Sequence, residues 1–191
     1  KTAQLSFLKG IDHLLLQDLG AAISALTEAI ERDPSFTLAY FARSIASLRR
    51  SEAERGRPVE QSTPSTPQVR AAATGAKATT PAELPLTAPT PTRVIEYSPL
   101  TDLNQVITQA PTLAFAYYNR ANLYAKTGDV ERAKQDYTKA IELNPLFAES
   151  YFNRGLLYYS EGKVKEGTRD LSRAGELGLY KAYSLIKRMN K

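Results

Sequence analysis

Apolar residues recur at helical spacing through Tyr117, Ala121 and Tyr124, and again through Val130, Ala133, Tyr137 and Ala140. Thr127-Gly128-Asp129 separates the two runs. Gly128 can take the left-handed conformation that ends a helix, and Asp129 can cap the next one. Pro145 stops the second run, because proline cannot continue a helix interior. The pattern predicts a hairpin of two helices over 114–147. Residues 148–179 repeat it: Tyr151, Gly155 and Tyr158, a turn at Glu161-Gly162-Lys163, then Gly167, Leu171 and Ala174. Leu179 replaces the terminal proline. A final helix is predicted over 180–191, turning Tyr183 and Ile186 inward and ending in Lys187, Arg188 and Lys191, a charge suited to a helix C-terminus.

Toward the N-terminus, Gly10, Ala22, Leu26, Ala29 and Pro34 mark a first hairpin over 3–36. Another begins at Thr37 with Tyr40 and Ser44, and its first helix is predicted to end near Arg50. The pattern resumes near Val94, with Leu103, Val106 and Pro111 where a second helix needs them. A proline is tolerated at a helix start, so that helix is expected to begin at about Pro99, capped by Ser98. Pro111 and Pro145 are 34 residues apart; Pro34 and Pro111 are 77 apart, which is 34 plus 43. The 43 extra residues are Ser51 to Arg93, within one hairpin rather than between two. Units of this size cannot bury their apolar faces alone and stack on their neighbours.

Residues 51–93 hold seven of the eleven prolines, eight threonines and no aromatic residue. Such a segment cannot bury enough apolar surface to offset its ordering entropy, and a disordered loop is expected. Pro64-Ser65-Thr66-Pro67 is a weak proline-ligand motif, and Leu84-Pro85-Leu86 can fold back on the protein.

The formal net charge of +5 is mostly C-terminal: residues 148–191 carry nine Lys/Arg against five Asp/Glu. A nucleic-acid face would be denser and interleaved with aromatics, so no nucleic acid is expected as a partner. No apolar run is long enough to span a membrane. Without cysteine, neither a disulfide framework nor a Cys-based metal site is possible. His13 stands alone, Gly162-Lys163 lacks the other parts of a phosphate loop, and Glu28 and Glu31 belong to an ordinary solvated helix face. No catalytic residue, metal or cofactor is expected.

Tyr117-Tyr118-Asn119-Arg120-Ala121, Tyr151-Phe152-Asn153-Arg154-Gly155 and the run Ala133, Tyr137, Ala140, Pro145 resemble the tetratricopeptide repeat, and the C-terminal ending is similar to that of bacterial repeat proteins of this kind. The resemblance implies an all-α, right-handed solenoid. It consists of four hairpins (3–36, 37–50 with 94–113, 114–147, 148–179) and a C-terminal capping helix, with a disordered loop inside the second repeat. It also implies a non-enzymatic protein-interaction module with a concave groove lined by the first helices. Family geometry puts Phe7, Phe41, Tyr118 and Phe152 in one row and Ile11, Ile45, Asn122 and Leu156 in the next. Leu38, Leu48, Phe115 and Tyr159 extend the surface. Aligned aromatics either mark a site for a peptide or partner helix or pack inside the stack. A carboxylate-clamp cochaperone is not expected, because Phe7 or Tyr118 falls where the first clamp lysine belongs and Leu185 where another cation is needed. Asn119, Arg120, Asn153 and Arg154 are expected to bond within and between repeats. The alternative role is an assembly or regulatory segment of a longer protein. The first helix shows no N-terminal cap, so an upstream neighbour and self-association through the N-terminal repeat are expectations.

Overall fold

The structure, a computed structural model, describes residues 2–55 and 98–189. These residues form α-helices and connecting turns, without a strand. In chain order the helices are α1 (Ala3–Leu15), α2 (Leu19–Arg32), α3 (Thr37–Arg55), α4 (Pro99–Gln109), α5 (Ala114–Thr127), α6 (Val130–Leu143), α7 (Ala148–Ser160), α8 (Val164–Glu176) and α9 (Lys181–Met189). Each packs on the helix before and the helix after it, so the array is an α-solenoid. None of the described helices is long and apolar enough to cross a membrane.

Local chemistry sets the hairpins. Gly128 has φ 83°, and Asp129 Oδ1 accepts from Arg132 N at 3.2 Å to cap α6. Asp18 caps α2 in the same way, accepting from Ala21 N at 3.1 Å. After α2 and α6, Asp33 and Asn144 accept from the backbone N–H two residues on, which turns the chain past Pro34 and Pro145. Helix α4 starts at Pro99 with Ser98 at the N-cap position, although the Ser98 side chain makes no capping bond.

Three sequence expectations are corrected. Thr2 does cap α1, its hydroxyl accepting from Leu5 N at 3.4 Å. Helix α3 passes Arg50 and reaches Arg55, because Ser51-Glu52-Ala53-Glu54-Arg55 contains no helix breaker and Glu54 pairs with Arg50 one turn back at 3.7 Å. The proline-rich remainder of the 51–93 stretch lies outside the described residues, apart from these five. In α9, Ala182 is buried and Leu185 and Ile186 pack on the core, whereas Tyr183 stays 45% exposed with its ring lying across Gly175.

The core is a series of small clusters along the array. Ala22, Ile23 and Leu26 meet Ala42 and Ala46; Ala121, Ala133 and Tyr137 fill the α5–α6 hairpin; Leu171, Ala174 and Ala182 join α8 to α9. Alanines dominate these contacts and let the helices approach closely. The contact of α7 with α8 is tight. A Cβ on Gly155 would lie 3.1 Å from the Gly167 carbonyl oxygen, and a Cβ on Gly167 would lie 2.4 Å from the Tyr159 ring. We predict that Gly167→Val destabilises the fold by about 2 kcal/mol through overpacking, read as a lowered midpoint in chemical denaturation.

An arginine ladder clamps the units together. Arg154 binds Asp170 through two parallel bonds of 2.7 and 2.9 Å and donates to Thr138 Oγ1 at 2.9 Å. Arg120 does the same with Asp136, at 2.7 and 2.8 Å, and with Asn104 at 2.8 Å. Arg43 does it with Asp102, at 2.9 and 2.6 Å, and with Thr27 at 3.0 Å. Each arginine therefore joins its own hairpin to the second helix of the preceding one. Tyrosine rings flank each guanidinium, with Tyr117 and Tyr124 centred 5.7 and 5.9 Å from that of Arg120. The aspartate bonds and charges hold Arg120 and Arg154 above their ordinary pKa against the opposing effect of burial.

Candidate functional site

The first helices of three hairpins, α3, α5 and α7, line an open pocket of about 500 Å³. Ile45 and Leu48 come from α3, Leu123 and Ala125 from α5, and Leu156 and Leu157 from α7. Tyr137 reaches in from α6 and forms part of the wall, with only 2% of its surface exposed. The polar lining is Asn119, Asn122 and Asn153, with Arg49, Glu52 and Lys126. Lys126 and Glu52 form an ion pair that ties α5 to the last two turns of α3.

Asn122 organises the interior. Its Oδ1 accepts from Tyr137 Oη at 2.6 Å and from Asn153 Nδ2 at 3.0 Å. Burial pushes the Tyr137 phenol well above its usual pKa, so it stays a neutral donor. With both lone pairs of Asn122 Oδ1 occupied, its amide N–H groups remain to be offered to a ligand, and Asn153 retains its carbonyl oxygen as an acceptor. One donor amide and one acceptor amide therefore stand among leucine and isoleucine side chains.

Of the residues that family geometry assigns to the groove, Ile45, Leu48, Asn122 and Leu156 meet in this pocket. The aromatic row is half-buried within the stack. Phe7 packs on Phe36 with ring centroids 4.8 Å apart, and Ile11 packs on the cluster around Leu26. Tyr118 lies between Phe147 at 4.7 Å and Tyr137 at 6.0 Å. Phe115, 51% exposed, also rests on Phe147 at 4.7 Å. Lys181 of α9 sits 4.6 Å over the Phe152 ring, and Tyr159 shares a 2.5 Å hydrogen bond with Thr168. Phe41 is half-buried on α3. As expected, Asn119, Arg120, Asn153 and Arg154 all bond inside the array; Asn119 donates to Phe115 O at 2.9 Å. His13 is part-exposed, 3.7 Å from Asp18. Sequence reasoning did not assign Tyr137, Leu123, Lys126, Arg49 or Glu52 to the site. Tyr137 was legible only as a core residue, and Glu52 depends on the extra length of α3.

Profiles of the tetratricopeptide repeat match residues 7–68, 114–147 and 136–168, together more than half of the chain. The chain belongs to the tetratricopeptide-repeat family. This is a family of protein-interaction modules and typically a non-enzymatic one. Solved structures agree on the fold. A crystal structure of MamA is 15% identical and superposes with a TM-score of 0.69, over 98% of this chain and 80% of that one. MamA from residue 41 to its end, from Desulfovibrio magneticus RS-1, is 15% identical with a TM-score of 0.64, over 92% and 75%. A tetratricopeptide repeat protein from Parabacteroides merdae is 17% identical with a TM-score of 0.65, over 98% of this chain and 60% of that one. No curated protein matches the chain in sequence.

Proposed function

We propose that this tetratricopeptide-repeat module binds a segment of a partner protein along the face formed by α3, α5 and α7, with one apolar side chain of that segment entering the pocket. The observation that carries the reading is the pairing of a largely apolar pocket of about 500 Å³ with the Asn122 N–H groups and the Asn153 carbonyl oxygen, which the bonds to Asn122 Oδ1 leave over. A peptide backbone presents one carbonyl acceptor and one N–H donor per residue, which suits one donor amide and one acceptor amide. Ile45, Leu48 and Leu156 supply the apolar contacts that give most of the affinity in such grooves. Phe115, Tyr118, Phe152 and Tyr159 shape the surface from partly buried positions, and the exposed part of the Phe115 ring adds contact area. Phe7, Ile11 and Phe41 belong to the N-terminal continuation of the same rows.

Selection of a displayed random-peptide library against the whole chain tests this. The expected ligands share an apolar anchor. Leu156→Asp, which puts a charge into the apolar wall, is expected to weaken them by at least about a hundredfold, with the far-UV circular dichroism unchanged. Ligands that bind equally well to Leu156→Asp and Ile45→Asp would show that the pocket is not their site.

A further inference from the structure

We propose that the outward face of α1 is a self-association surface, on which two copies of the chain pair antiparallel about a two-fold axis. Leu5, Leu8, Lys9, Asp12, Leu15 and Leu16 are all exposed, and at 3.6 residues per turn they fall within one arc of about 120°. The four leucines are 42%, 58%, 74% and 77% exposed. Phe7, Ile11 and Leu14 on the opposite face pack into the core.

The later hairpins show what kind of surface this is. One repeat of 34 residues on from Leu5, Leu8, Lys9 and Asp12 stand Ala39, Ala42, Arg43 and Ala46. All four are buried in α3, which packs on α2. The N-terminal part of this face is thus the stacking surface of a repeat, and among the described residues nothing is stacked on it. It differs from α3 in carrying Leu5 and Leu8 for the buried Ala39 and Ala42, and Leu15 and Leu16 for the exposed Arg49 and Arg50, a larger apolar area that gains by being covered.

The charge pattern selects a second copy as the occupant. Place two α1 helices antiparallel with the axis midway between Gly10 and Ile11. Lys9 of each copy then faces Asp12 of the other, and Leu5 of each faces Leu16 of the other. The order apolar, cation, anion, apolar is its own complement under a two-fold rotation, as an isologous interface requires. Neither Lys9 nor Asp12 makes an ion pair among the described residues. A helix of 13 residues is only about 20 Å long, so the contact falls short of the roughly 800 Å² per partner of a standard stable interface. The dimer is therefore weak and dissociates on dilution.

Sedimentation velocity of the whole chain, from low micromolar to millimolar concentration at low salt, tests the pairing. The expected result is a reversible monomer–dimer equilibrium. Lys9→Glu and Asp12→Lys each set like charges opposite one another and are expected to weaken association by about tenfold or more. The double variant restores the pairs and recovers the original association. Leu8→Gln with Leu15→Gln is expected to be monomeric throughout; both side chains are exposed, so the helical signal stays unchanged. A chain that remains monomeric at millimolar concentration overturns the proposal. So does a dimer that survives the leucine substitutions, or a double charge swap that fails to recover association.

Discussion

Arg43→Met is expected to lower the unfolding free energy by about 3–5 kcal/mol, because it leaves one partner of a buried ion pair without its counter-charge. The Asp102 side chain is 2% exposed and that of Arg43 is 6% exposed. Two parallel bonds, at 2.9 and 2.6 Å, join them. Without the guanidinium, the Asp102 carboxylate must remain charged in an apolar surround, take up a proton, or break the α3–α4 packing to reach water. Each route costs free energy that the native pair avoids. The pair also links residues 59 positions apart in sequence, so it helps hold together two helices whose connection is far longer than an ordinary hairpin turn. Arg120→Met and Arg154→Met are expected to cost less: their side chains are 20% and 15% exposed, and water can partly solvate the aspartate left behind. Urea denaturation of the three variants gives the order. Arg43→Met combined with Asp102→Leu, which removes both charges, should recover most of the loss. A loss below about 1 kcal/mol for Arg43→Met would place the pair in the solvent-screened class instead.

The same ladder shows how the array could be read from sequence and where reading stopped. Arginine and aspartate are 16 residues apart in the pairs Arg120–Asp136 and Arg154–Asp170, and 59 apart in Arg43–Asp102. That larger spacing is 16 plus the 43 residues by which the proline interval is lengthened. Hairpin turns were legible because their signals are local: Gly128 needs its positive φ, Asp129 caps within three residues, and Pro99 can only begin a helix. Where α3 ends was not legible, since the change of composition at Ser51 precedes the end of helix-compatible sequence at Arg55. Ile45, Leu48, Asn122 and Leu156, which the sequence placed on the first-helix faces, line the pocket. The aromatic row was harder, because what covers it comes from elsewhere. Phe36 and Phe147, in the turns after α2 and α6, fold back over Phe7, Tyr118 and Phe115. Face periodicity along one helix carries no information about a ring that arrives from a connecting turn.

Tyr137→Ala and Tyr137→Phe separate the packing of the pocket from its polar order. The alanine variant is expected to cost about 3–5 kcal/mol, as for other large aromatics removed from a core. The Tyr137 ring fills the space between Ala121, Ala133 and Leu157, and its removal also takes support from Tyr118, whose ring centroid is 6.0 Å away. The phenylalanine variant keeps that packing and loses only the 2.6 Å bond to Asn122, for about 1 kcal/mol. Asn122 Oδ1 then still accepts from Asn153, so no buried acceptor is stranded. Its second lone pair is released, and the Asn122 amide becomes free to turn. If the amide pair holds a peptide backbone, Tyr137→Phe should weaken a selected peptide by about tenfold, the worth of one well-placed hydrogen bond, while its thermal midpoint stays within a few degrees of the parent. If the pocket takes only an apolar side chain, Tyr137→Phe should bind as the parent does, and only variants that change its apolar wall, such as Leu156→Asp, should lose the ligand. Calorimetric titration of one peptide against the parent, Tyr137→Phe and Leu156→Asp distinguishes the two. The ratio of their affinities assigns the polar and apolar shares of recognition to Asn122 and to the leucine wall.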